Sequence, residues 1–375
     1  MRLTKPTILF AAIVLLCSCS KHRASIEEFT PIYTPTYAVG FEMSSDGENV
    51  IIETHNAWQG ENASHKGIFI SRNGDAAPEG FQGQTLDGEA RRIVAMSSTF
   101  VAMLDAIGEA DRVVGVSGKD FINTPSVAAR YDEIGDVGYE GHINYETLLA
   151  LEPDLVLLYS INGASSMEPK LIELGIPYVY VGEYLEESPL GKAEWMIPMG
   201  EMVGQRAKAE EVYSAIPENY NQLKARMSNV AERPRVMLNL PYGDSWVMPS
   251  ATSYMAQLIN DAGGQCAYQK DTGNQSKPID MEEAYLLANG ADYWLNVGSV
   301  TSERELRSLM PKFADVKPVR EHHVYNNNLR LNPTGGNDYW ESGTVNPDLI
   351  LQDLILILHP DSLPGSQFTY YRHVE

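Results

Sequence analysis

A short helix running into an unbroken apolar segment, at Gly135 to Ser160 (GDVGYEGHINYETLLALEPDLVLLYS), constrains this chain more than any other stretch. A glycine-punctuated loop leads into the helix, where Glu146 stands at the start and Leu148, Leu149 and Leu151 supply the apolar positions. Pro153-Asp154 breaks it. Leu155 to Tyr159 is then continuously apolar, as a parallel strand covered on both faces requires. The unit recurs at Met281 to Val297 (MEEAYLLANGADYWLNV), with Glu283 in the position of Glu146 and Gly290 as the breaker seven residues later, the spacing that separates Glu146 from Pro153. Two such units predict two lobes built alike, with a cleft between them.

The remaining pattern fits this layout. Residues 20–36, with Pro31 and Pro35 and little apolar content, read as a tether. Residues 37–90 hold short β-type runs (Tyr37 to Met43, Val50 to Glu53, Gly67 to Ile70) separated by the turn sequences Ser45-Asp46-Gly47 and Arg72-Asn73-Gly74-Asp75, which predicts a small antiparallel β appendage. From Arg91 strands alternate with helices, the signature of an open parallel sheet. Residues 91–187 form one α/β lobe and 231–375 the other. Residues 188–230 carry the longest helical pattern, with Val212, Ile216, Leu223 and Met227 on one face, and would bridge the lobes as a strut, kinked or bounded at Pro217.

Charge and cysteines narrow the function. A formal net charge of −22, from 28 basic and 50 acidic residues, leaves no basic stripe for nucleic acid. Arg2 and Lys5 precede the apolar segment Ile8 to Leu16 and the sequence Leu16-Cys17-Ser18-Cys19, an export signal whose apolar core is too short to span a bilayer. A leucine three residues back and a small residue directly before it make Cys19 similar to the bacterial lipoprotein box, so residues 1–19 are a lipoprotein signal peptide and the mature chain is tethered to a membrane through acyl chains on Cys19. Only Cys266 then remains, which excludes a disulfide framework or a cysteine-based metal cluster.

In open α/β sheets ligands sit beyond the carboxyl ends of the strands. The residues there are aromatic and polar: Ser98, Asp120, Tyr139, Tyr159, Tyr184, Tyr242, Trp246 and Trp340 are the candidate ligand contacts, suited to a bulky, ring-rich ligand. No phosphate-binding G-x-x-x-x-G-K-[ST], G-x-G-x-x-G after a strand, G-x-S-x-G elbow or H-E-x-x-H is present, and His322-His323, adjacent in an extended run, would point to opposite faces. Neither catalytic residues nor a bare metal site is expected, and no cofactor.

The stretch from Arg91 to Ser117 (RRIVAMSSTFVAMLDAIGEADRVVGVS) resembles the opening of the mature body in substrate-binding proteins of ABC importers for ferric siderophores, haem and cobalamin. The likeness continues through Gly135 to Gly138, Asn144-Tyr145-Glu146 and Glu152 to Val156, and extends over Gly263-Gly264 and Glu283, covering roughly residues 91–360. It implies an α/β fold of two Rossmann-like lobes joined by a long bridging helix, here with the small N-terminal β appendage added. It further implies a ligand clamped between the lobes with little hinge motion, and one glutamate per lobe, Glu146 and Glu283, docking on the permease. Where many family members carry a glutamate after the Ser/Thr turn, this chain has Phe100. The appendage looks like the form found in lipoproteins of Bacteroidetes.

The expected function is therefore a membrane-tethered, monomeric binding protein that captures a large metal chelate and delivers it to an ABC permease and its ATPase. The ligand, a corrinoid such as cobalamin, a ferric siderophore or haem, would itself carry the iron or cobalt. Catecholate siderophores would require an arginine cluster, for which only Arg130, Arg320 and Arg330 are placed, and this favours the corrinoid. The alternatives are a cleft enzyme acting on such a ligand and a surface glycan-binding or adhesion lipoprotein.

Overall fold

The computed structural model describes residues 24–60, 66–272 and 276–375. The export segment and Cys19 lie outside the described residues. The chain begins with a mixed five-stranded sheet in sequential order: β1 (Thr30–Tyr33), β2 (Phe41–Ser45), β3 (Val50–Thr54), β4 (Lys66–Ser71) and β5 (Gly83–Asp87). Two expectations are corrected here. Residues 26–33, assigned to the tether, form a 3-10 turn and strand β1, because an edge strand tolerates Pro31 where a central one would not. The appendage is also not wholly antiparallel, since β5 pairs parallel with β4; its sequence, GQTLD, is too polar and exposed to read as a strand.

The first lobe contains β6 (Ile93–Ala95), α1 (Ser98–Ala106), β7 (Val113–Val116), α2 (Pro125–Ala128), β8 (Gly135–Asp136), the small hairpin β9 (Gly138–Tyr139) and β10 (His142–Ile143), α3 (Tyr145–Ala150), β11 (Leu155–Leu158), α4 (Glu168–Leu174) and β12 (Tyr178–Tyr180). Its sheet is parallel throughout, in the order β12-β11-β6-β7-β8. All four residues of β11 are buried, as its apolar run demands.

Three helices follow: α5 (Pro189–Glu194), α6 (Met196–Met202) and α7 (Arg206–Met227). The connection is thus interrupted after α6 at Gly204, which adopts φ +71°, while α7 runs its 22 residues through Pro217 without ending. Its face of Ala209, Tyr213, Ile216, Tyr220 and Met227 is buried.

The second lobe contains β13 (Arg235–Leu238), β14 (Trp246–Met248), α8 (Tyr254–Asp261), β15 (Gln265–Cys266), β16 (Lys277–Ile279), α9 (Met281–Asn289), β17 (Tyr293–Leu295), α10 (Glu303–Leu309), α11 (Lys317–Arg320), β18 (Val324–Asn326), α12 (Pro347–Leu358) and β19 (Arg372–His373). Its sheet runs β15-β13-β17-β18-β19, parallel except at the β19 edge, with β14 and β16 paired separately.

The lobes are alike at their centres and differ in winding. Numbered within each lobe, the first has strand order 3-2-1-4-5 and the second 2-1-3-4-5, the two common doubly wound arrangements. The repeated helix–strand unit occupies the same place in both, because β11 lies beside β6 and β17 beside β13. A matching anchor fixes it: Asp154 accepts hydrogen bonds from the Arg91 and Arg92 amides at 2.8 and 3.0 Å, and Asp292 accepts one from the Arg235 amide at 2.7 Å. Both units therefore sit where the strand order reverses, the point at which such sheets bind ligands.

Two buried carboxylates attach the appendage. Glu194 on α5 accepts from the amides of Thr36, Tyr37 and Ala38 and from the Tyr33 hydroxyl, and Glu186 accepts from the amides of Val39 and Gly40 and from Trp195 Nε1.

Candidate ligand-binding cleft

The first lobe presents Ser97, Ser98 and Thr99 beyond β6 and Tyr159 and Ser160 beyond β11. The second presents Asn239 beyond β13 and Asn296 beyond β17. Both asparagines adopt left-handed backbone (φ 66° and 62°), a conformation uncommon outside glycine that concentrates at functional sites. Asn296 Oδ1 accepts from the Tyr371 hydroxyl at 2.9 Å.

Of the candidate contacts, Tyr159 and Tyr184 come together, edge to face with ring centroids 6.4 Å apart, and the Tyr184 hydroxyl donates to the Ser160 carbonyl. Burial raises the pKa of both phenols, Tyr184 to about 12, so both are neutral donors. Ser98, partly exposed, opens α1 beside them. Tyr139 is exposed on the first lobe and lies over Gly118 beyond β7. Tyr242 stands almost fully exposed in the turn before β14 on the second lobe, apart from the tyrosine pair. Asp120 accepts from the Tyr131 hydroxyl, so its carboxylate is engaged within its own lobe.

Trp246 does not belong to the cleft. It is fully buried against Trp294 and Phe313 (centroids 5.7 and 5.1 Å), and its Nε1 donates to the Leu238 carbonyl at 2.8 Å, leaving no ring face for a ligand. The alternation of β14, in which Trp246 and Met248 point inward and Val247 outward, is the reason. Trp340 is 56 % exposed and stacks edge-on against buried Tyr339. It sits at a seam where the second lobe reaches across to the first: Asn332 Nδ2 donates to the Asp120 carbonyl at 2.9 Å, and Gly336 passes so close to the Phe121 carbonyl that a Cβ would lie 2.3 Å from it. Glu341 completes the seam with hydrogen bonds from Asn123 and Thr124. Phe100 is buried in the first core, so its ring is not presented at the surface of the cleft.

Residues that the sequence did not single out line the floor. Thr99 donates to Glu183 at 2.7 Å, and Lys192 on α5 lies over the Tyr254 ring, 5.3 Å from its centroid. The signal available for Asn239 and Asn296 was their position directly after an apolar strand. On the flank, a cavity of about 610 Å³ is walled by Tyr37, His55, Trp58 and Gln59 of the appendage, by Glu186, and by Gln257 of α8.

The glutamates on the upper surface fall into a register set by the helix caps. Asn144 caps α3 by accepting from the Thr147 amide, which makes Glu146 the second helical residue. Asp280 caps α9 by accepting from the Glu282 and Glu283 amides, so the second helical residue there is Glu282. Counted from the caps the counterpart of Glu146 is Glu282, and counted back from the breaker it is Glu283, because α9 is longer than α3. Glu282 is exposed, whereas Glu283 pairs with Lys270 at 2.6 Å. Three residues on, each matched glutamate has an exposed apolar neighbour, Leu149 and Tyr285.

No group of three or more histidine, cysteine, aspartate or glutamate side chains suited to a metal ion occurs among the described residues, and no described helix is long and apolar enough to cross a membrane. His322 is engaged by Glu303 at 2.7 Å and His323 stacks on Tyr293. Cys266 is buried, which pushes its thiol up to about 12.

The chain is 25 % identical over 291 residues to an uncharacterized lipoprotein of Methanocaldococcus jannaschii, covering 75 % of this chain and 68 % of that one. It is 22 % identical over 249 residues to an uncharacterized ABC transporter substrate-binding lipoprotein of Bacillus subtilis, covering 65 % and 74 %. Its fold matches that of a periplasmic heme binding protein from Pseudomonas aeruginosa, with a TM-score of 0.58 at 18 % identity over 76 % of this chain and 98 % of that one. The family model described as periplasmic binding protein matches residues 93–327, the first lobe, the helices between the lobes and the second lobe through β18, and the chain belongs to that family.

Proposed function

We propose that the protein is the membrane-tethered binding component of an ABC importer, capturing a large metal chelate between its lobes and delivering it to the permease. The observation that carries this reading is the matched pair Glu146 and Glu282. Each is the second residue of the helix preceding a switch-point strand, and each stands beside an exposed apolar side chain. A permease with two similar halves needs matched contacts at fixed separation, and acidic residues at helix starts meet basic partners with good orientation and on-rate. The seam at Glu341 holds the lobes at one angle, in keeping with a site that is largely preformed. Membrane attachment through a lipidated Cys19 accords with relatives that are named lipoproteins.

The test combines ligand titration with transport. Tryptophan fluorescence of the protein titrated with cobalamin, haem and ferric siderophores should report saturable binding of one class, and liposomes holding the cognate permease and ATPase should import that ligand only when the protein is present. Absence of binding across the panel, or import that proceeds equally without the protein, would remove the proposal. Cys19→Ala should release the chain from membranes.

A further inference from the structure

The arginines that the sequence offered as ligand donors are already engaged. Arg130 donates to the Ala110 and Val113 carbonyls at 2.8 and 3.3 Å, Arg320 to the Asp315 carbonyl, and Arg330 pairs with Asp338 at 2.9 Å. Lys119 lies over the Tyr131 ring at 4.0 Å and donates to that residue's carbonyl. None of these is presented to an anionic ligand.

Lys192 differs. It rises from α5 to the junction of the lobes, partly exposed, with the Tyr254 ring of the second lobe against its ammonium. Among the described residues no carboxylate lies within the 4.0 Å of an ion pair with it. The carboxylate whose charge acts on it is Glu183, just beyond β12, which is 3 % exposed. Its Oε1 accepts from Thr99, and its Oε2 is buried without a hydrogen-bond partner. An isolated buried carboxylate is costly unless a cation compensates it. Burial lowers the pKa of Lys192 and raises that of Glu183, while the attraction between them opposes both shifts. The floor thus carries one partly exposed lysine whose charge is offset by a carboxylate that stands apart from it.

We infer that Lys192 is a ligand-contacting hydrogen-bond donor and that Glu183 neutralises it, so that the cleft selects a charge-neutral, carbonyl-rich chelate, fringed with carboxamides, over one bearing carboxylates or catecholates. An ammonium has three donors. A ligand carbonyl can accept from one without changing the net charge of the floor, whereas a ligand carboxylate would bring a second negative charge close to Glu183 in a poorly solvated site. The inference rests on the chelate-binding reading and specifies its ligand.

The full-length protein, extracted in detergent, is titrated with cyanocobalamin, haem and ferric enterobactin. Wild type should bind cyanocobalamin at least about tenfold more tightly than the two anionic chelates, and Lys192→Met should weaken that binding by about tenfold. Glu183→Gln keeps the shape and the Thr99 contact but removes the negative charge, so it should raise haem affinity by about fivefold or more while leaving cyanocobalamin binding nearly unchanged. Preference of wild type for an anionic chelate, or haem affinity unaltered by Glu183→Gln, overturns the inference and leaves chelate capture standing. Binding of none of the three by wild type overturns both. Melting curves accompany each variant, and if Lys192→Met fails to fold, the Glu183→Gln comparison decides alone.

Discussion

Glu341 of the second lobe accepts a hydrogen bond from the backbone amide of Thr124 in the first, at 2.7 Å, and a second from the same residue's hydroxyl. Asn123 adds two more, through its amide and its side chain. The carboxylate is 1 % exposed, and burial raises its pKa while these bonds oppose the rise. Together with the Asn332 contact to the Asp120 carbonyl, this side chain joins the lobes directly, in addition to their connection through α5 to α7, and so helps to set the angle between them. Glu341→Ala leaves the Thr124 amide buried without an acceptor and should cost about 2–4 kcal/mol in denaturant unfolding. It should also increase the radius of gyration measured by small-angle scattering, and a variant as stable and compact as wild type would show that the seam does not hold the lobes.

The two tryptophans should separate stability from binding. Trp246→Ala empties a site packed by Trp294 and Phe313 and should destabilise by about 3–5 kcal/mol. Trp340→Ala removes an exposed ring at the seam; it should weaken ligand binding by about 1–3 kcal/mol and leave the melting temperature nearly unchanged. Calorimetry and fluorescence titration of both variants check this, and a Trp340 variant with wild-type affinity would place the ligand elsewhere.

What could be read from the sequence follows what each residue does locally. The buried run of β11 is a short-range signal and stands where it was expected. Strands β1 and β5 were missed because an edge strand needs little apolar content, and β19 because two residues carry no period. The different winding of the lobes was invisible, since strand order depends on contacts distant in sequence. Within the cleft, Tyr159 and Tyr184 were identified as strand-end aromatics, whereas Trp246, equally a strand-end aromatic, faces the core because of one alternation in β14. Glu183 and Lys192 gave no signal, because neither residue type in isolation reports burial or its distance from an opposite charge.

Acidity should act through Asp353. This fully buried carboxyl on α12 accepts hydrogen bonds from the amides of Thr369, Tyr370 and Tyr371, yet burial outweighs them and pushes its pKa up to about 6 from the usual 3.8. Between those values the folded state holds a proton that the unfolded state has lost. Stability from this group is therefore present below about pH 4 and is lost as pH rises through about 6, a change of about 3 kcal/mol. Denaturation of wild type and Asp353→Asn across pH 4 to 7.5 measures it. The difference between the two should favour wild type more at the acidic end; a difference that grows toward neutral pH would show that the hydrogen bonds hold the carboxyl ionised.

The docking surface yields the sharpest test, because two adjacent glutamates on α9 differ in what they can do. Glu282 is exposed at the position that Glu146 occupies on α3, while Glu283 is half-covered and held by Lys270. An acid already paired has its charge compensated and its rotamer fixed, so it offers less to an incoming basic side chain. Replacing Glu146 or Glu282 with alanine should each reduce reconstituted transport and binding to the permease, and the double variant should abolish both. Ligand affinity and melting temperature should stay at wild-type values, since neither side chain touches the cleft or the core. Glu283→Ala should transport almost normally. Were transport instead lost in the Glu283 variant and retained in the Glu282 variant, the register set by the helix caps would be wrong for docking, and the partner would have to displace Lys270 to reach its contact.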